Sequence, residues 1–176
     1  MLENYLKKRN FAQTPEPKGV LKTKNWKLKT HYSFVVQKHF ASHLHYDFRL
    51  EIGGVLKSWA IPKGPSLNPQ NKRLAIQTED HPIEYKDFHG EIPTGQYGAG
   101  KVEIWDTGEF IPREDPAKQW QKGKIEFELR GKKLKGAWLL LQFKKDPKNW
   151  LWFKKKDDWA DNGIEITESS PDPVNK

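Results

Sequence analysis

Apolar residues recur at every second position through most of this chain, the period of a strand with one face in a core. The clearest run is Lys124-Ile-Glu-Phe-Glu-Leu-Arg130, where Ile125, Phe127 and Leu129 fall on one face and four charges on the other. The same reading predicts strands near 33–39, 44–52, 55–61, 73–79, 101–106, 124–130, 136–143 and 150–155. Gly53-Gly54 between two of them signals a tight hairpin. Residues 62–69 and 87–100 read as loops, and only Leu2–Arg9 reads as a helical turn or two. About eight short antiparallel strands without a long helix predict a mostly β fold, a single compact antiparallel barrel, closed or nearly so, because closure removes free edges. An N-terminal arm (1–30), broken by Pro15, Pro17 and Gly19, packs on that barrel (31–158), and an acidic, Pro-containing tail (159–176) follows as linker or disordered chain.

Composition narrows the chemistry. A chain of 176 residues suits one domain with a full core. The absence of cysteine excludes disulfides, iron–sulfur clusters, thiolate zinc sites and a cysteine nucleophile, leaving His, Asp, Glu and backbone oxygens as metal ligands. The longest apolar run, Ala137–Leu141, is five residues, far short of a membrane span, and the Lys-rich N-terminus has no apolar signal segment. The reading is a soluble, cytoplasmic monomer with no membrane partner.

The net charge of +8 is unevenly placed. Residues 1–30 carry 8 basic and 2 acidic side chains, 31–121 carry 10 and 12, 122–156 carry 12 and 3, and 157–176 carry 1 and 6. Two basic flanks therefore bracket a nearly neutral middle. Aromatics interleave with the basic runs (Trp26; Trp138; Trp150, Trp152 and Phe153 before Lys154), which suits a polyanion whose phosphates meet Lys and Arg and whose bases stack on rings. A solvated basic surface over core aromatics is the plainer alternative.

Candidate chemistry sits in the neutral middle, on His45-Tyr-Asp-Phe-Arg-Leu-Glu51. Alternation puts Tyr46, Phe48, Leu50 and Ile52 on the core face and His45, Asp47, Arg49 and Glu51 on the other. His45 and Asp47, about 6.5–7 Å apart along the strand, can reach one metal ion. If Phe40–Leu44 turns the chain, His39 returns as a cross-strand neighbour. Two imidazoles and a carboxylate suit Mn, Fe, Co, Ni or Zn rather than Ca or Mg. Arg49 beside a dication makes sense when an anion bridges the two, and phosphate is the obvious one. Further along, Lys63, Arg73, and Glu79-Asp-His-Pro82 with Tyr85 add polar groups. His81 is a third metal ligand, or a phosphate donor and general acid, and Tyr85 is a donor to a phosphoryl oxygen. Gly95–Gly100 lacks the Lys-Ser/Thr of a phosphate loop and reads as a turn cluster. Two rivals use the same residues: a non-haem iron oxygenase, and a non-catalytic nucleic-acid-binding barrel whose polar strand is a solvated face.

The runs Phe34-Val-Val-Gln-Lys-His39, His45–Glu51, Leu56-Lys-Ser-Trp-Ala-Ile-Pro-Lys-Gly-Pro-Ser66, Arg73-Leu-Ala, Glu79–Pro82, Gly95–Gly100 and Trp105-Asp-Thr-Gly108 resemble, in order, the 3′-phosphoesterase domain of bacterial and archaeal DNA ligase D, over residues 1 to about 160. The resemblance implies a manganese-dependent β-barrel (Co²⁺ or Zn²⁺ as alternatives) that removes a 3′-terminal ribonucleotide and then the 3′-phosphate, leaving a 3′-OH for ligation. It implies His39, His45 and Asp47 as metal ligands. It implies Arg49, His81, Tyr85, Lys63 and Arg73 as phosphate-contacting or catalytic groups with Glu79 nearby, and Arg9 and Glu16 from the N-terminal arm. The implied substrates are DNA or RNA/DNA 3′ ends on a primer–template, and the implied partners are an ATP-dependent DNA ligase and a polymerase in prokaryotic end joining. Asn10 departs from the family's usual Asp, and His89 stands where an acidic residue is expected.

Overall fold

A computed structural model describes residues 1–19, 29–163 and 165–167. The lysines and Trp26 of the arm between 20 and 28, and the tail beyond 167, lie outside the described residues.

Nine strands form one sheet: β1 (Tyr32–Phe40), β2 (Leu44–Ile52), β3 (Val55–Ile61), β4 (Arg73–Gln77), β5 (Gly90–Ile92), β6 (Gly100–Pro112), β7 (Lys124–Arg130), β8 (Lys135–Gln142) and β9 (Asn149–Lys154). The order β1-β2-β3-β4-β9-β8-β7-β6 closes through a β1–β6 pairing, so eight antiparallel strands make a barrel and β5 lies outside it on the start of β6. The closed mostly-β barrel read from the sequence is therefore what forms. Gly53 and Gly54 both take positive φ in the β2–β3 hairpin, as that turn requires.

The boundaries differ in three places. β6 runs to Pro112 rather than stopping at 106, because Gly108 marks a close approach and not a strand end: a Cβ there would run into the carbonyl oxygen of Arg130 on β7. β5 interrupts the predicted 87–100 loop. A short helix, α2 (Pro116–Lys122), follows β6, with Asp115 capping Ala117 and Lys118 and Gly123 closing it in the left-handed conformation. No helix among the described residues is long and apolar enough to cross a membrane.

Inside the barrel, Phe48 stacks on Trp152 at 3.9 Å, amid Trp59, Trp138 and Trp150. Truncating such a fully buried ring costs about 3–5 kcal/mol. A second apolar layer covers the outside of β1–β3: Tyr5 from α1 (Glu3–Lys7), Tyr85 from a 3₁₀ turn (Ile83–Asp87), Phe88, Ile92, Leu56 and Val102 pack together there. The Tyr5 hydroxyl donates to the Pro17 carbonyl at 2.6 Å and ties the arm's two ends. Gln37, His39, Asp47 and Arg49 on the outer face of β1 and β2 are consequently buried beneath this layer, while His45 stays partly exposed.

Candidate metal centre

The β1–β2 hairpin pairs His39 with His45, Gln37 with Asp47 and Val35 with Arg49. The cross-strand return expected of His39 is thus the observed register. One nitrogen of each histidine and a carboxylate oxygen of Asp47 all lie within 4.8 Å of one another. His39 Nδ1 is 3.4 Å from Asp47 Oδ2, and His45 Nε2 is 3.4 Å from Asp47 Oδ1.

The outward nitrogens decide what the inward ones carry. His39 Nε2 lies 2.7 Å from the Gly98 carbonyl and His45 Nδ1 lies 3.0 Å from the His43 carbonyl. A carbonyl can only accept, so each of these nitrogens holds the ring's proton in the neutral form. The lone pairs of His39 Nδ1 and His45 Nε2 then both face Asp47. Carbonyls orienting imidazoles in this way are the usual outer shell of a metal site. Gly98 reaches that position with φ of 74°, so the loop read as a turn cluster supplies an orienting group.

Electrostatics agrees. Burial would raise Asp47, yet the Arg49 guanidinium first, and then the two facing imidazoles, hold its carboxyl well below the usual range. Burial would lower His45, but Asp47 outweighs it and raises the imidazole. A proton on His45 answers Asp47 in one state of this group; with both rings neutral, their two lone pairs and the ionised carboxylate, which also pairs with Arg49, converge where a cation can sit. The donor set fits a divalent transition metal, with nitrogen and oxygen ligands and room for further ones.

Arg49 is the next layer. It is 3% exposed. Its Nε donates to Gln37 Oε1 at 2.7 Å, its Nη2 lies 3.3 Å from Asp47 Oδ2, and its guanidinium lies over the Tyr85 ring. Gln37 in turn donates to the carbonyls of Tyr85 and Phe88. Gln37 went unremarked in the sequence, although an amide amid the apolar run Phe34–Val36 on the ligand-bearing face was the available signal.

His81 is positioned by two backbone hydrogen bonds to Leu56. It is not one of the three converging ligands; the Arg49 guanidinium lies against its Nδ1 side. Nδ1 is 2.8 Å from the Glu79 carbonyl and Nε2 is 3.4 Å from Arg9 Nη2. The consistent tautomer donates from Nδ1 to Glu79 and accepts at Nε2 from Arg9. Burial, then Arg49 and Arg9, push its pKa well below the ordinary value, so the ring is neutral at pH 7.

Arg9 is anchored by Glu16 at 3.1 Å and Glu79 at 2.8 Å. Glu16 also accepts from Thr14 and from the Tyr85 hydroxyl. That phenol is engaged by Glu16, and the ring is what faces Arg49. The structure thus gathers Arg9, Glu16, Arg49, Glu79, His81 and Tyr85 around one centre. Lys63 and Arg73 form a separate group: Lys63 is exposed just past β3, and Arg73 donates to the Gly64 carbonyl and pairs with Glu165. Asn10 is exposed and its Oδ1 accepts from Ala12 N, a turn role that an Asp would also fill. His89 is exposed.

Comparison with known proteins places the chain in a family. The family described as the DNA Ligase D 3′-phosphoesterase domain matches residues 37–142, more than half of the chain. The multifunctional non-homologous end joining protein LigD of Pseudomonas aeruginosa is 49% identical over 177 residues, covering 98% of this chain and 21% of that protein. The protein of the same name from Mycolicibacterium smegmatis is 44% identical over 89% of this chain and 21% of its own length. The multifunctional non-homologous end joining DNA repair protein LigD of Mycobacterium tuberculosis is 39% identical over 97% of this chain and 22% of its own. The chain spans about a fifth of the length of these curated relatives. Matched so extensively, and carrying the convergent His39–His45–Asp47 group inside the matched region, the chain belongs to the DNA ligase D 3′-phosphoesterase domain family.

Proposed function

We propose that this chain is a manganese-dependent phosphoesterase that trims DNA 3′ ends for non-homologous end joining. In this reading it removes a 3′-terminal ribonucleotide by diester hydrolysis and a 3′-phosphate by monoester hydrolysis, leaving a 3′-OH for an ATP-dependent ligase acting with a polymerase. Co²⁺ and Zn²⁺ are its substitute ions. One observation carries the reading: two carbonyl-fixed imidazole lone pairs and an ionised carboxylate converge beside a buried arginine. The names of the relatives support the end-joining setting.

Held by His39 Nδ1, His45 Nε2 and Asp47, the ion supplies a Lewis acid for a phosphoryl oxygen. The protein's own groups do the rest. Gln37 and the Tyr85 ring fix the Arg49 plane, with its Nη atoms turned toward Asp47 and His81, from where they would shift onto phosphoryl oxygens as charge builds in the transition state. Glu16 and Glu79 hold Arg9 as a second guanidinium on the opposite side of His81. Between two cations the neutral His81 stores no spare proton at rest. A phosphate dianion entering among these groups relieves that repulsion and favours proton uptake at His81 Nε2, from where the leaving oxygen can be protonated. Lys63 and Arg73, outside this network, act on more distant parts of the substrate.

The test uses a 5′-labelled primer–template ending in one ribonucleotide or in a 3′-phosphate. The wild-type chain with Mn²⁺ converts both to a 3′-OH, and chelator abolishes the reaction. Wild-type cleavage by Asp47→Asn overturns the metal assignment. Turnover of 2-oxoglutarate with iron, and no phosphoesterase activity, favours the oxygenase rival.

A further inference from the structure

A polar cleft of about 910 Å³ opens beside the site, and neither the metal group nor the arginines account for it. Its near end is formed by Glu79, Lys8 and Tyr97. Tyr97 is half-exposed, lies under the cations of Lys8 and Arg9, and precedes Gly98, whose carbonyl fixes His39. The near end is therefore linked to the metal group through the backbone step from Tyr97 to Gly98. Further out it passes Lys57, whose ammonium sits 4.5 Å over the Trp120 ring, and Gln121, and it ends at Lys148. Lys148 belongs to the β8–β9 hairpin loop, which also exposes Lys144 and Lys145.

We propose that this cleft holds the DNA strand that carries the reacting 3′ end, over the nucleotides preceding the scissile phosphate. This assignment rests on the phosphoesterase reading above. Three observations favour that occupant. The cleft adjoins the centre through Glu79, which lines it and also holds Arg9 against His81, so a strand whose last phosphate lies among these groups has an exit here. Lys8, Lys57 and Lys148 line the cleft together with the amides Gln77, Gln121 and Gln142, groups that meet a phosphate backbone, and the exposed Tyr97 ring stands at its near end. The two acids Glu79 and Asp80 are already neutralised within the protein, by Arg9 and by Lys57, while the hairpin loop at the far end exposes three lysines against one acid, Asp146.

The test measures binding with the metal chelated, by fluorescence anisotropy on a primer–template, for wild type and Lys144→Glu/Lys148→Glu. Both lysines are exposed, and a thermal melt checks that the variant folds. The dissociation constant rises roughly tenfold near 0.1 M salt, and the log–log salt slope falls by about two, one for each lost phosphate contact. Unchanged affinity and slope overturn the cleft. To identify the strand, methylphosphonates replace the second to fifth phosphates from the 3′ end of the primer, or those opposite on the complementary strand. Primer replacement weakens wild-type binding and loses its effect in the variant. Coupling to the complementary strand alone overturns the strand assignment. Hydrolysis of bis(p-nitrophenyl) phosphate by the wild-type chain with Mn²⁺ is run alongside. Its absence counts against the phosphoesterase reading, while anisotropy decides the cleft separately.

Discussion

β2 and β7 alternate apolar and polar residues in the same way, yet the two strands end in different surroundings. On β7 the outward Lys124, Glu128 and Arg130 are exposed and Glu126 is half-exposed, all tied in surface ion pairs. On β2 the outward Asp47, Arg49 and Glu51 are buried, nearly as fully as the core residues between them, and of the outward residues only His45, at the strand's start, is partly exposed. Alternation reports which side of a barrel wall a side chain takes. Whether the outside is wet depends on what else the chain lays over it. Here Tyr5, Tyr85, Phe88 and Ile92 roof β2, and nothing comparable covers β7 among the described residues. Low dielectric under that roof makes each charge on β2 matter more than its counterpart on β7.

The largest expected contrast is in catalysis. Asp47→Asn removes the carboxylate that completes the metal group and lowers primer cleavage by roughly a thousandfold or more. Glu128→Gln on β7 leaves the rate unchanged and stability within about 0.5 kcal/mol. Steady-state kinetics and urea melts on both variants check this. A second contrast concerns stability. Gln37→Leu leaves Arg49 Nε without its acceptor and two buried carbonyls without their donor, for a loss of about 3 kcal/mol. A leucine at Glu128, on the exposed face, changes the urea midpoint little. If Gln37→Leu proves neutral, the sealed layer does not constrain its polar groups as described.

Metal should discriminate between the two regions as well. At a hundred times its dissociation constant, Mn²⁺ bound to the folded state alone adds about 2.7 kcal/mol. Wild type and Glu128→Gln gain this in a thermal melt, and Asp47→Asn does not. An equal shift in all three would place the ion elsewhere.

Much of this was legible in the chain, for a physical reason. The β1–β2 hairpin is local, so His39, His45 and Asp47 share a face through short-range pairing that alternation and one turn define. The roof was not legible. It brings Tyr5, Tyr85 and Phe88 from separate segments, and their contacts obey no periodicity along the sequence. That is why the outer face of β2 read equally well as solvated, and why Arg9 entered only through the family resemblance, its contact with His81, 72 residues away, being visible only in the fold. The strand read near 101–106 continues through Gly108 to Pro112, because that glycine is a close approach to the Arg130 carbonyl, which only the fold reveals. The Asp115-Pro116 cap and Gly123 were readable helix signals passed over beside the strong strand pattern.

The smallest expected effect is one of pH, and it separates the two regions by window. His81 has its pKa lowered by burial and by Arg49 and Arg9. Above about pH 6.5 it is neutral in both folded and unfolded chains and contributes nothing. Below that the unfolded chain takes a proton that the folded one refuses, so stability is lost as pH falls, by up to about 1.4 kcal/mol per unit. Glu126 on β7 is drawn down to about 2 by hydrogen bonds from Lys124 and Lys155, so its contribution survives until pH falls below the ordinary glutamate range. Being near the surface, it is small. The measurement is the urea midpoint in chelator at pH 7.0, 6.0 and 5.0 for wild type, His81→Asn and Glu126→Gln. Wild type and Glu126→Gln lose stability in parallel across this range. His81→Asn loses less, because it has no imidazole for the unfolded state to protonate. If all three fall together, His81 is not held neutral under the roof, and the sealed, cation-flanked setting assigned to β2 fails at that residue.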